Sequence, residues 1–184
     1  MKFAGTQPLF AIPVFSWLHD DAAFHQELLD EIMAMERTPR PSQSNPNQWF
    51  ETVADIERVM HIFEKDKPAC RALKEMISNA IEEKFPNKGW ALKSWVNFNH
   101  PQSYHAVHHH LDEAKLSGVY YVSVPENSGA LEFVSSVRSN GWFAERAVVK
   151  PQQGLLLMFS PSLLHFVHPN KSDKMRVSVG FNAV

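Results

Sequence analysis

The chain has 184 residues, with 44% hydrophobic and 21% charged positions and a formal net charge of −2. That is enough chain for one ordinary core, and too apolar for wholesale disorder. The charge balance lacks the basic excess that nucleic acid or an anionic membrane surface calls for, and a single cysteine, Cys70, excludes a disulfide framework or a Cys-built zinc site.

In chain order, residues 8–18 are apolar but interrupted by Pro13 and too short for a membrane span. They read as an N-terminal strand or extended arm. No targeting segment stands out, so a cytoplasmic protein is expected. Asp20 or Asp21 caps a predicted helix running to about Arg37, with Phe24, Leu28, Ile32 and Met35 on its apolar face. A loop rich in Pro, Ser and Asn follows over 38–47. Residues 49–65 carry mixed signals and read as part helical. A second helix starts near Pro68 and buries Leu73, Ile77, Ala80 and Ile81 before Pro86 and Gly89 end it.

From Trp90 the period changes to two. Strands are predicted at 92–98, 104–110, 117–124, 130–134, 142–149, 154–159 and 176–182, separated by Pro and Gly turns. The expectation is a single domain. Residues 1–89 form an arm and supporting helices, and 90–184 a mostly β sandwich or jelly roll with the helices on one face.

Histidine is the compositional oddity, with ten in all and five between His100 and His110. In a strand, residues i and i+2 share a face, so His108, His110 and Asp112 would point together and His109 away. Two imidazoles and a carboxylate form the facial triad of non-haem iron, and His110-Leu-Asp112 supplies two of its three positions. The plain alternative is a solvated strand end. A further ligand must come from elsewhere, and His165 follows an apolar strand and a Pro turn. His168 competes, but it precedes Pro169 and has the other parity. Eleven residues beyond His165, Arg176 and Ser178 share a face of the last strand. A guanidinium there could clamp a carboxylate, or pair as a surface arginine with Asp173 or Glu113.

Together these residues resemble the Fe(II)- and 2-oxoglutarate-dependent oxygenases, and more narrowly a small oxygenase family of bacteria and phages. The resemblance rests on Trp95-Val-Asn97, Tyr104, His108-His-His110, Ser117-Gly-Val-Tyr-Tyr-Val122, Gly129-Ala-Leu-Glu-Phe133, Phe159-Ser-Pro-Ser-Leu-Leu-His165 and Arg176-Val-Ser-Val-Gly-Phe-Asn182. It covers roughly residues 90 to 184, with one extra residue in the Phe-Ser-Pro-Ser turn. It implies a double-stranded β-helix (jelly roll) holding Fe(II), with 2-oxoglutarate, dioxygen and an unidentified primary substrate as partners, and hydroxylation of a C–H bond. Metal ligands would be His110, His165 and either Asp112 or His108. Family spacing from Tyr104 selects His108; the wider superfamily motif selects Asp112, which is preferred because a carboxylate lowers the charge of the site. Arg176 and Ser178 would meet the far carboxylate of 2-oxoglutarate. The rivals are a cupin-like metal protein that uses no 2-oxoglutarate and a non-catalytic sandwich with Trp90, Trp95 and Trp142 as stacking platforms.

Overall fold

The computed structural model describes residues 11–39, 56–135 and 146–184. Eleven strands and two helices are distinguished: β1 (Val14–Leu18), α1 (Ala22–Met33), β2 (Thr38–Pro39), β3 (Ile56–Met60), a 3₁₀ turn (Ile62–Glu64) and α2 (Pro68–Lys84). Then come β4 (Leu92–Asn99), β5 (His105–His108), β6 (Leu116–Ser123), β7 (Leu131–Val134), β8 (Arg146–Val149), β9 (Leu155–Phe159), β10 (Leu164–Val167) and β11 (Arg176–Ala183). They build two antiparallel sheets. The larger has the order β1-β9-β6-β11-β4-β3-β2, the smaller β5-β10-β7-β8. This is the expected mostly β jelly roll, the double-stranded β-helix.

Strand parity gives the larger sheet two different faces. Val96, Phe98, Tyr120, Val122, Leu156, Met158, Val177 and Val179 join the helices in one core. Tyr121, Leu157 and Phe159 belong to a second core with Leu131 and Phe133 of the smaller sheet. The helices are held to the first face by the stripes their sequence carries. Leu28 and Ile32 of α1, and Leu73, Ile77, Ala80 and Ile81 of α2, are buried there. The Asp21 carboxylate accepts from the Phe24 N–H and caps α1. Pro68 opens α2, where its missing N–H costs nothing. The Glu31 carboxylate of α1 accepts from the Ala69 and Cys70 N–H groups, joining the two helices end to side.

Leu73 and Ile77 have no exposed surface. Truncating either to alanine leaves a cavity and is expected to cost about 2–5 kcal/mol. Urea titration checks this as a lower midpoint at an unchanged slope.

Several expectations are corrected. Helix α1 ends at Met33 rather than near Arg37, because the chain must become extended in time to pair Thr38 with Arg58. Residues 56–60 of the supposedly part-helical segment are strand β3, and only 62–64 make a helical turn; residues 49–55 lie outside the described residues. Of the two readings of the apolar stretch, strand or extended arm, the strand holds over Val14–Leu18, which runs along β9 with Val14 opposite Phe159. The first half of the chain therefore adds three strands to the larger sheet as well as its helices. The strand expected over 104–110 stops at His108. The His110 carbonyl accepts from the Glu113 and Ala114 N–H groups, turning the chain toward β6. The extended piece anticipated from His165 is strand β10, which begins one residue earlier at Leu164. The expected start of the 142–149 strand, Trp142 and most of the 38–47 loop fall outside the described residues. Among the described residues no helix is long and apolar enough to cross a membrane.

Candidate metal centre and anion pocket

A cavity of about 840 Å³ opens between the two sheets. Its floor is the inner face of the larger sheet. Arg58 of β3, Asn97 of β4, Ser178 of β11 and Tyr121 of β6 lie in register across it. His105 and His108 come from β5, His110 from the turn after it, and His165 from β10. Strand pairing sets His165 directly opposite His108.

One ligand atom from each of His108, His110 and His165 lies within 4.8 Å of the others. The ring centroids are 4.3 Å apart for His108 and His165, 5.1 Å for His108 and His110, and 5.4 Å for His110 and His165. Local hydrogen bonds fix the tautomers. His108 Nδ1 donates to the Ala106 carbonyl at 2.7 Å, and His165 Nδ1 donates to the Leu163 carbonyl at 2.8 Å. Each proton on Nδ1 puts the imidazole lone pair on Nε2, the arrangement a metal-binding histidine uses. His110 Nδ1 faces Glu113 at 3.5 Å. Burial pushes the His165 pKa down to about 4, and burial also lowers that of His110, against an opposing effect of Glu113. Both rings are thus held neutral, with lone pairs available. Phe133 and Phe159 stand against His165 on its dry side.

Asp112 lines the same cavity but is exposed and lies outside this cluster. The parity that would have aimed it with His110 no longer applies once the strand has ended at His108. His109 lines the rim, and His168 lies away from the cluster, its Nε2 paired with Glu132 at 2.7 Å.

The second feature is a buried cation. Arg176 is 2% exposed. Its Nη1 donates to the carbonyls of Ser128 and Gly129 at 2.8 and 2.9 Å. Its Nε is buried without a partner, as is Asn97 Oδ1 on the same floor. Among the described residues no carboxylate pairs with Arg176, neither Asp173 nor Glu113. Burial lowers its pKa, with Tyr121 acting the other way, and Tyr121 is itself pushed up to about 12 by burial. A desolvated guanidinium without an anion is costly, and its cost is removed by an anionic ligand. Ser178 lies two residues on, also buried and lining the cavity.

The parity of β4, β6 and β11 could have placed Asn97 and Tyr121 beside Ser178. Arg58 carried no such signal, because its segment read as part helical.

The two-sheet architecture is the fold of solved 2-oxoglutarate–Fe(II) oxygenases. A prolyl-4-hydroxylase of Pseudomonas putida superposes with a TM-score of 0.67 at 19% identity, over 91% of this chain and 90% of that one. The non-haem α-ketoglutarate-dependent epimerase SnoN of nogalamycin biosynthesis superposes at 0.65 and 18% identity, over 91% and 76%. HygX of Streptomyces hygroscopicus, with nickel and 2-oxoglutarate bound, superposes at 0.64 and 9% identity, over 92% and 82%. No curated protein matches the chain in sequence. Residues 93–182 match the family model described as "Putative 2OG-Fe(II) oxygenase".

Proposed function

We propose that the protein is a hydroxylase that uses Fe(II), 2-oxoglutarate and dioxygen, with His108, His110 and His165 as the iron ligands and Arg176 as the cosubstrate anchor. The observation that carries this reading is the convergence of three imidazoles on one wall of a cavity that holds on its floor a buried guanidinium with no carboxylate partner among the described residues. The donor set fits the metal: neutral imidazole suits Fe(II), and the rings are fixed by backbone carbonyls. HygX, with nickel and 2-oxoglutarate bound, shares the fold.

In this reading Arg176 takes the distal carboxylate of 2-oxoglutarate through its guanidinium edge, and Ser178 adds a hydroxyl donor. The buried Tyr121 ring beside them keeps bulk water from that end. His108-x-His110 takes the place of the His-x-Asp pair, with the second histidine in the carboxylate's position. Asp112 then acts at the rim without touching the metal. When bound, Fe(II) with 2-oxoglutarate and dioxygen supplies the oxidising power for attack on a C–H bond, yielding succinate and carbon dioxide.

Anaerobically Fe(II)-loaded protein given 2-oxoglutarate and air is expected to release succinate, and to release none without iron or with a chelator. Quantifying succinate by chromatography is the check. Bound metal with no succinate and no affinity for 2-oxoglutarate would transfer the assignment to a cupin-like enzyme.

A further inference from the structure

The smaller sheet holds a carboxylate sealed from water on its outward face. Leu131 and Phe133 of β7 belong to the second core, so Glu132 between them points the other way. Glu132 is nevertheless 1% exposed. Val148 of β8 and Phe166 of β10 stand opposite it in register. Its Oε2 accepts from His168 Nε2 at 2.7 Å, and its Oε1 accepts from Arg146 Nε. The Arg146 guanidinium holds the Glu132 carboxyl below the usual carboxylate range, with burial acting the other way. An ionised carboxylate is buried at tolerable cost only when its oxygens are met by donors, which fixes those donors in place. Neither Glu132 nor His168 lines the cavity.

His168 follows directly on β10. Its N–H donates to the Ala130 carbonyl at 2.9 Å, so the β10–β7 pairing reaches the residue next to Gly129. Gly129 lies against the His168 backbone, where a Cβ would collide with the His168 carbonyl oxygen and stand 3.1 Å from that of Pro169. Two residues further, the Lys171 N–H donates to the Asn127 carbonyl at 2.9 Å. The 127–130 turn is therefore laid against residues 168–171 along its length. That turn supplies the Ser128 and Gly129 carbonyls that accept from Arg176 Nη1. Two acceptors on one terminal nitrogen set the rotation of a planar guanidinium. The Nε–Nη2 edge is left for an anion, and its direction depends on where the two carbonyls stand.

We propose that Glu132 and His168 are positioning residues for the cosubstrate anchor. Their buried pair holds residues 168–171 against β7, which places the Ser128 and Gly129 carbonyls and, through them, the fork of Arg176. This rests on the oxygenase reading above, in which Arg176 takes the distal carboxylate of 2-oxoglutarate. A pair that merely ties the sheet together would change the melting curve and leave that affinity alone.

The test is calorimetric titration of Zn(II)-loaded protein with 2-oxoglutarate, with metal content and melting curves recorded for each variant. His168→Ala is expected to weaken 2-oxoglutarate binding roughly fivefold to thirtyfold at full metal content. His168→Gln keeps an N–H donor for the carboxylate and is expected to restore most of that affinity. In an Arg176→Lys background His168→Ala is expected to cost little more, because the fork through which it acts is gone. Unchanged affinity in metal-loaded His168→Ala overturns the inference and leaves the oxygenase reading standing. So does a loss that adds in full to that of Arg176→Lys, which would mean that His168 does not act through the arginine. Should His168→Ala fail to fold, Glu132→Gln, which keeps the shape and removes the charge, carries the same comparison in both backgrounds. If Zn(II)-loaded wild type does not bind 2-oxoglutarate, the oxygenase reading falls and this inference with it.

Discussion

Replacing His165 or His108 with alanine is expected to strip Fe(II) from the protein, whereas Asp112→Ala is expected to keep close to one equivalent. The difference follows from where the strand ends. His108 is the last residue of β5 and sits opposite His165 on β10, so both rings enter the cavity from paired backbone. His110 joins them from the turn, its N–H held by the Pro161 carbonyl at 2.9 Å. Asp112 follows two residues later on an exposed part of that turn. Removing one of three ligands abolishes a facial site. Removing a group outside the ligand set typically costs about 10–100-fold in affinity. Metal analysis after dialysis, followed by Fe(II) or Co(II) titration of each variant, separates the cases. Retention of metal by His108→Ala together with loss in Asp112→Ala would reinstate the carboxylate triad.

The second large effect is expected at Arg176. Arg176→Lys keeps the charge but replaces a planar fork by a point donor, so 2-oxoglutarate affinity should drop about tenfold to hundredfold, a loss of roughly 1.5–3 kcal/mol. Arg176→Ala removes the anion's partner altogether and should bind more weakly still. Arg176 also holds the Ser128 and Gly129 carbonyls. Gly129 has φ of 88°, and a Cβ there would run into the His168 carbonyl, so this turn has little freedom to adjust. The alanine variant should therefore also melt earlier. The lysine variant, with full metal content and a near-normal melting curve, is the decisive one. Calorimetric titration of the Zn(II)-loaded proteins with 2-oxoglutarate measures the effect, and unchanged affinity in metal-loaded Arg176→Ala would falsify the cosubstrate role.

Much of this was legible in the chain because it depends on local period. The stripes Leu28–Ile32 and Leu73–Ile77 announced two helices and their buried faces. The change to a period of two after Trp90 announced strands, and Arg176 and Ser178 announced one polar face. Five histidines within eleven residues, a distant His165 and Arg-x-Ser marked a metal centre with an anion partner. What local period could not carry was where each element stops and what lies across from it. The part-helical reading of 49–65 failed over 56–60 because those residues become a strand only by pairing with β4, a partner more than thirty residues away. Arg58 was invisible as a cavity residue for the same reason.

The sequence by itself determined both helices, the strands of the second half and most of the inventory of metal-binding and anion-binding side chains, since these follow from side-chain chemistry and from repeats of two or 3.6 residues. Only the tertiary structure decided which members of that inventory meet. On the expected strand, Asp112 was preferred to His108 as the ligand completing the set. The chain turns after His108, because β5 belongs to the smaller sheet and β6 to the larger. The reversal takes Asp112 out of the cluster, while the β5–β10 pairing brings His108 to His165. Such a choice is made by sheet-to-sheet connection, a long-range constraint on the backbone that no window of residues contains.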